Sequence, residues 1–217
     1  MGMGVSVRDK IAKRAAEEIT DGMIVNLGIG MPTLVANHLA NNRDVMFHAE
    51  NGVLGTGPTP PKGEEDENLC NAGGLPITVV PGASYFDSTY AFGIIRRGLL
   101  DVTILGAFEV SGTGDLANWI VPGKIVSGMG GAIELAQKAQ KVIVLMNHVD
   151  KQGNPKIVKE CSLPLTAKKC VDLIITDMAV MEVTKEGLHL LEVMGTFSVE
   201  EVIEATEAKV TIAEHIK

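Results

Sequence analysis

Met23-Ile-Val-Asn-Leu-Gly28-Ile-Gly-Met-Pro32, continued by Thr33 to Leu39, is the stretch that decides the architecture. Met23 to Leu27 is a short apolar run suited to a buried strand. Gly28-Ile29-Gly30 then turns the chain into a segment opened by Pro32, a residue fitted to the first turn of a helix. Strand, glycine turn and helix in that order make one unit of an α/β sheet. Upstream, Ile11, Ala15 and Ile19 fall at helical spacing between charges in Arg8 to Ile19, and Asp21-Gly22 supplies the stop. Downstream, Val45 to His48, Val102 to Leu105, Val142 to Met146 and Leu173 to Thr176 read as buried strands. The helical intervals Thr89 to Arg97 and Ala132 to Gln140 lie among them. Such alternation predicts an α/β fold: an open, three-layer, mostly parallel sheet with helices on both faces. Near the C-terminus, Ala179 to Val183 and Leu188 to Val193 flank Lys185-Glu186-Gly187 as a hairpin, followed by a capped helix over Ser198 to Thr206, so that edge of the sheet is expected to be mixed. Gly55 to Asn68, rich in proline and acidic residues, follows neither period and reads as a surface loop.

Composition narrows the function. The 217 residues, 46% hydrophobic, are enough for one compact domain spanning 1–217 and short for two. A net charge of −8 without a basic stretch argues against a nucleic-acid partner. No apolar run approaches the roughly 20 residues that span a bilayer, and Met1 to Asp9 lacks the apolar core of a secretion signal, so the expectation is a cytoplasmic protein with no membrane partner. Cys70, Cys161 and Cys170 are widely spaced, and the five histidines stand singly. Unpaired thiols and no metal site are expected.

Glu50 follows Val45 to His48 and precedes Asn51-Gly52, which places its carboxylate at the carboxyl end of a strand, where open α/β sheets bind ligands. Position alone favours an ordinary solvated glutamate. Around it, Gly52, Gly55, Gly57, Gly73 and Gly74 suit a loop that admits a thin ligand. Gly128-Met129-Gly130-Gly131 runs straight into the helix over Ala132 to Gln140, where free backbone N–H groups can stabilise an oxyanion. Gly28-Ile29-Gly30 is a poor dinucleotide fingerprint, because the third glycine would fall at Thr33 and Pro32 precedes it.

The order of the motifs says more than any one of them. Glu50-Asn-Gly-Val-Leu-Gly-Thr-Gly-Pro58, Asn71-Ala-Gly-Gly74, Pro81-Gly-Ala-Ser-Tyr-Phe-Asp87, Gly114-Asp-Leu-Ala-Asn-Trp-Ile-Val-Pro-Gly-Lys124, Gly128-Met-Gly-Gly-Ala132 and Leu163-Pro-Leu-Thr166 occur in sequence. From about Arg8 to Ala208 the chain resembles the β subunit of the class I, 3-oxoacid type coenzyme A-transferases. The resemblance implies a fold shared with glucosamine-phosphate and ribose-phosphate isomerases, a catalytic Glu50, and an oxyanion donor at Gly131. Asn51 is expected to orient the carboxylate, and Gly52, Gly28, Gly30 and Gly130 to contribute to substrate or coenzyme A binding. Coenzyme A enters as substrate and covalent intermediate, with no permanently bound cofactor. A separate α subunit, in a heterodimer or heterotetramer, is the implied partner, alongside the acyl-CoA and the carboxylic acid. The family's usual serine before the glutamate is here Ala49, preceded by His48, a departure that bears on acid specificity. Two alternatives stay open: a sugar-phosphate isomerase of the same superfamily and a noncatalytic partner chain.

Overall fold

The computed structural model describes residues 5–39, 44–123, 126 and 128–216; Lys124, the last residue of one family-like motif, and Met1 to Gly4 lie outside them. Helix α1 (Val5–Ala16) leads into strand β1 (Ile24–Leu27) and a 3-10 helix (Met31–His38). Next come β2 (Met46–Ala49), β3 (Val53–Thr56), β4 (Val79–Tyr85), α2 (Ser88–Arg96) and β5 (Val102–Gly106). Short strands β6 (Glu109–Ser111) and β7 (Leu116–Ala117) precede α3 (Ala132–Lys138), β8 (Lys141–Leu145), β9 (Ile157–Val158) and β10 (Leu173–Ile175). The hairpin β11 (Ala179–Thr184) and β12 (Gly187–Val193), helix α4 (Val199–Glu204), strand β13 (Val210–Ile212) and a 3-10 turn (Glu214–Ile216) finish the chain.

Ten strands form one sheet in the order β13-β12-β11-β10-β8-β5-β1-β2-β3-β4. The central run β10-β8-β5-β1-β2 is parallel throughout. Its strands carry mostly apolar sequence, interrupted by buried Asn26, His48 and Thr103, because both of their faces are covered. On one face α1 packs Ile11, Ala12 and Ala15 against Val25, Ile104, Ile143 and Ile175; on the other, Ile95 of α2, Leu135 of α3 and Val202 of α4 pack with Leu105, Val144 and Ile174. The antiparallel β10-β11-β12 edge agrees with the sequence, and Ser198 closes a capping box with Glu201 at the start of α4.

Four features differ from the sequence reading. The opposite edge is also antiparallel, through β3 and β4. Pro81 and Gly82, quoted only within a motif and assigned to no strand, lie inside β4, where an edge strand tolerates a residue with no N–H to give. The segment after Pro32 winds as a 3-10 helix. Finally, β6, β7 and β9 form a separate three-stranded sheet of strands too short to show a period.

Candidate active site

Strand order reverses at β1: the chain passes to β2 on one side of it and later returns to β5 on the other. The carboxyl ends of strands flanking such a reversal open a crevice. Glu50 lies there, in a tight turn between β2 and β3 closed by the Gly52 N–H donating to the Ala49 carbonyl at 3.0 Å. Gly52 has φ +117°, and a Cβ added to it would overlap the Phe86 carbonyl oxygen. Its own carbonyl accepts from the Phe86 N–H at 3.0 Å. Glycine is therefore a steric requirement of the turn.

Beneath the turn, Thr103, Asn26 and His48 stand side by side on adjacent parallel strands. All three are buried. Thr103 Oγ1 donates to Asn26 Oδ1 at 3.2 Å, and Asn26 Nδ2 donates both to the His48 carbonyl and to Glu50 Oε2, each at 3.1 Å. The half-buried carboxylate thus has a fixed donor in the neutral Asn26 amide. Asn51 itself is exposed and its amide donates to the Cys70 carbonyl at 2.8 Å. Sequence reasoning misses Asn26 inside its apolar run; an asparagine in a strand buried on both faces is itself the signal, since such a side chain needs partners.

Gly131 caps α3 and comes close to Glu50: a Cβ on it would stand 3.5 Å from Glu50 Cγ and 3.4 Å from the Phe92 ring. Gly130, at φ +52°, forms the turn just before it. Gly28 is packed under the crevice, its N–H donating to the Ile104 carbonyl at 2.8 Å, while Gly30 sits on the open side at the start of the 3-10 helix. Of the residues singled out from sequence, Glu50 and Gly131 therefore meet; Asn51 and Gly52 shape the turn, and Gly28, Gly30 and Gly130 flank it.

A cavity of about 220 Å³ opens beside Glu50, between the 3-10 helix and the loops at Thr56–Thr59 and Asn71–Leu75. His48 is 2% exposed, its ring stacked on Phe86 at a centroid distance of 6.3 Å, and neither ring nitrogen has a side-chain partner among the described residues. Burial depresses its pKa, against the opposing pulls of the Glu50 charge and of the Ala91 backbone. Farther along the same sheet edge, Asn118 Nδ2 donates to the Gly106 carbonyl and Thr166 Oγ1 donates to Asn118 Oδ1 at 2.6 Å, which ties two of the sequence motifs together. Cys161 and Cys170 are half-buried free thiols pushed up to about 12 by burial, and Cys70 is exposed. Among the described residues no group of three His, Cys, Asp or Glu side chains is arranged to hold a metal ion, and no helix is long and apolar enough to cross a membrane.

Residues 8–205 match the family model for coenzyme A transferase. The chain belongs to the coenzyme A transferase family. It is 60% identical, over 98% of both chains, to the beta chain of a probable coenzyme A transferase of Bacillus subtilis. A subunit of a probable succinyl-CoA:3-ketoacid coenzyme A transferase of the same organism is 51% identical, over 96% of this chain and 97% of that one. Among solved structures, the apoenzyme of an acyl-CoA transferase from Escherichia coli O157:H7 superposes with a TM-score of 0.78 at 22% identity, covering all of this chain and 44% of that one. That likeness shows that the coenzyme A transferase fold is present here.

Proposed function

We propose that this transferase chain moves coenzyme A between an acyl-CoA and a short-chain or 3-oxo carboxylic acid, with Glu50 as the covalent carrier. The observation that supports it most is the half-buried Glu50 carboxylate, held by Asn26 and in contact range of the Gly131 turn at the mouth of a cavity. Glu50 attacks the thioester carbonyl carbon, and the carbonyl electrons move onto oxygen, where the Gly131 N–H stabilises the charge. Collapse expels the coenzyme A thiolate and leaves a mixed anhydride. The thiolate then attacks the glutamyl carbonyl, and the first acid departs as its carboxylate. Glutamyl-CoA keeps the thioester's free energy until a second carboxylate enters and the steps run in reverse, so no water is consumed and kinetics are ping-pong. Asn26 holds Glu50 Oε2 throughout the cycle. Exposed Asn51, with Gly28, Gly30, Gly52 and Gly130, shapes the approach of coenzyme A.

The relatives that match over their full length are named as subunits, and the Escherichia coli chain is more than twice as long as this one. We assign the missing half to an α subunit that completes the enzyme. Intact mass spectrometry of the two subunits together, given acyl-CoA and no acceptor acid, should show a coenzyme A adduct on Glu50 that disappears in Glu50→Ala. An adduct on Cys70 instead, or none with any of several acyl-CoAs, overturns the mechanism.

A further inference from the structure

We propose that Arg96 is a positioning residue for the transfer: by clamping α2 to α3 it fixes the Gly131 amide against the Glu50 carboxylate. This rests on Glu50 as acyl carrier and Gly131 as oxyanion donor.

Glu50 and Gly131 come from separate elements, the β2–β3 turn and the start of α3, and α2 is tied to both. At one end of α2 the Phe86 N–H donates to the Gly52 carbonyl at 3.0 Å, and the next residue, Asp87, caps the helix by accepting from the Tyr90 N–H at 3.1 Å. The other end reaches α3. The Phe92 ring lies against Gly131, 3.4 Å from where a Cβ would stand. One turn on, the Arg96 guanidinium sits over that ring, 5.6 Å from its centroid. Its Nε and Nη2 donate to Glu134 Oε2 and Oε1, each at 2.7 Å. Glu134 is in the first turn of α3, so the contacts close a loop from Gly131 through Phe92, Arg96 and Glu134 back to α3. Arginine can do both jobs at once, because its planar fork matches two carboxylate oxygens while its face stacks on a ring; lysine has no such plane.

The Arg96 side chain is 57% exposed, so water screens the pair and its share in stability is small. Its geometry matters more than its energy. Gly128 and Gly130, at φ +87° and +52°, lead into Gly131, and a turn so rich in glycine has many backbone alternatives that only outside contacts remove. An oxyanion donor works only within roughly 2.7–3.1 Å of the charge it meets. A displacement of about 1 Å costs on the order of 100-fold in rate.

The test uses the assembled α/β enzyme, with acetoacetate accepting from acetyl-CoA, butyryl-CoA or succinyl-CoA, whichever the unmodified enzyme turns over fastest. Arg96→Ala should lower kcat about 30-fold, leave KM for the acyl-CoA within about twofold and shift the melting temperature by less than about 3 °C. Arg96→Lys, which keeps the charge and loses the fork, should lose about tenfold. Glu134→Ala should also lose about tenfold, and the double variant Arg96→Ala/Glu134→Ala no more than Arg96→Ala alone, since both act through one clamp. An unchanged kcat in Arg96→Ala, a loss carried by KM or by a larger fall in melting temperature, or single losses that multiply in the double variant overturns the assignment. Mass spectrometry separates this from failure of the carrier: a coenzyme A adduct missing from the unmodified enzyme sinks Glu50 as carrier, whereas an adduct that forms as fast in Arg96→Ala as in the unmodified enzyme sinks the positioning role alone.

Discussion

Two buried histidines end two parallel strands of the same sheet, and they are held in opposite ways. His148, past the end of β8, is fully buried, with Nδ1 2.9 Å from Thr176 Oγ1 and Nε2 2.8 Å from Thr206 Oγ1, so that its ring joins the β10–β11 turn to the end of α4. His48, at the end of β2, is 2% exposed and its ring nitrogens have no side-chain partner among the described residues, only a poorly formed contact with the Ala91 backbone. A buried polar group without a partner costs free energy that a fold seldom leaves uncompensated. The contrast marks the end of β8 as a structural joint and the end of β2 as the place where polar capacity is kept beside the Glu50 carboxylate.

The largest effect should come from breaking the joint. His148→Ala removes a fully buried ring and its hydrogen bonds to two threonine hydroxyls that keep backbone partners, at a cost of about 4 kcal/mol measured by chemical denaturation. Slightly smaller is the pH effect. The His148 pKa falls from 6.5 to about 4 through burial, against the opposing Asp177 charge. The unfolded chain therefore binds more protons between about pH 4 and 6.5. Stability should be fully present above that window and decline as pH falls through it, by about 3 kcal/mol. Denaturation curves at pH 7 and pH 4.5 should lose most of their difference in His148→Gln; an undiminished difference would place the titration elsewhere. At the other strand end, Asn26→Ala takes away the donor on Glu50, and turnover of the assembled enzyme should drop about 100-fold, visible as a fall in kcat. The smallest effect sharpens the contrast most: with no side-chain partner and only the Ala91 backbone to lose, His48→Phe should change stability by less than about 1 kcal/mol. A loss as large as that of His148→Ala would show that the two sites are alike.

Much of this was legible in the amino-acid order. The apolar runs around Val102, Val142 and Leu173 could only be strands buried on both faces, and Glu50 stood out through the motifs arrayed around it. What escaped notice had weaker local signals. Asn51-Gly52 is a hairpin dipeptide, yet its place in a motif read for catalysis hid its role in joining β2 to β3. Pro81-Gly82 disguised an edge strand. Asn26 looked like one polar residue in an apolar stretch, and only the register of β1 against β2 and β5 brings it under Glu50 and beside Thr103. Contacts set by strand register join residues 22 and 77 positions apart, a distance no local pattern reports.

Gly52 and Glu50 are neighbours in one turn but answer to different demands. The glycine is there because the Phe86 oxygen leaves no room for a side chain, whatever reaction the turn serves. The glutamate meets no such steric demand, and on the proposed mechanism it is there for the reaction alone. A lineage that abandoned acyl exchange would be free to drift at position 50 while position 52 stayed locked, so the glycine is a record of ancestry and the glutamate a record of occupation.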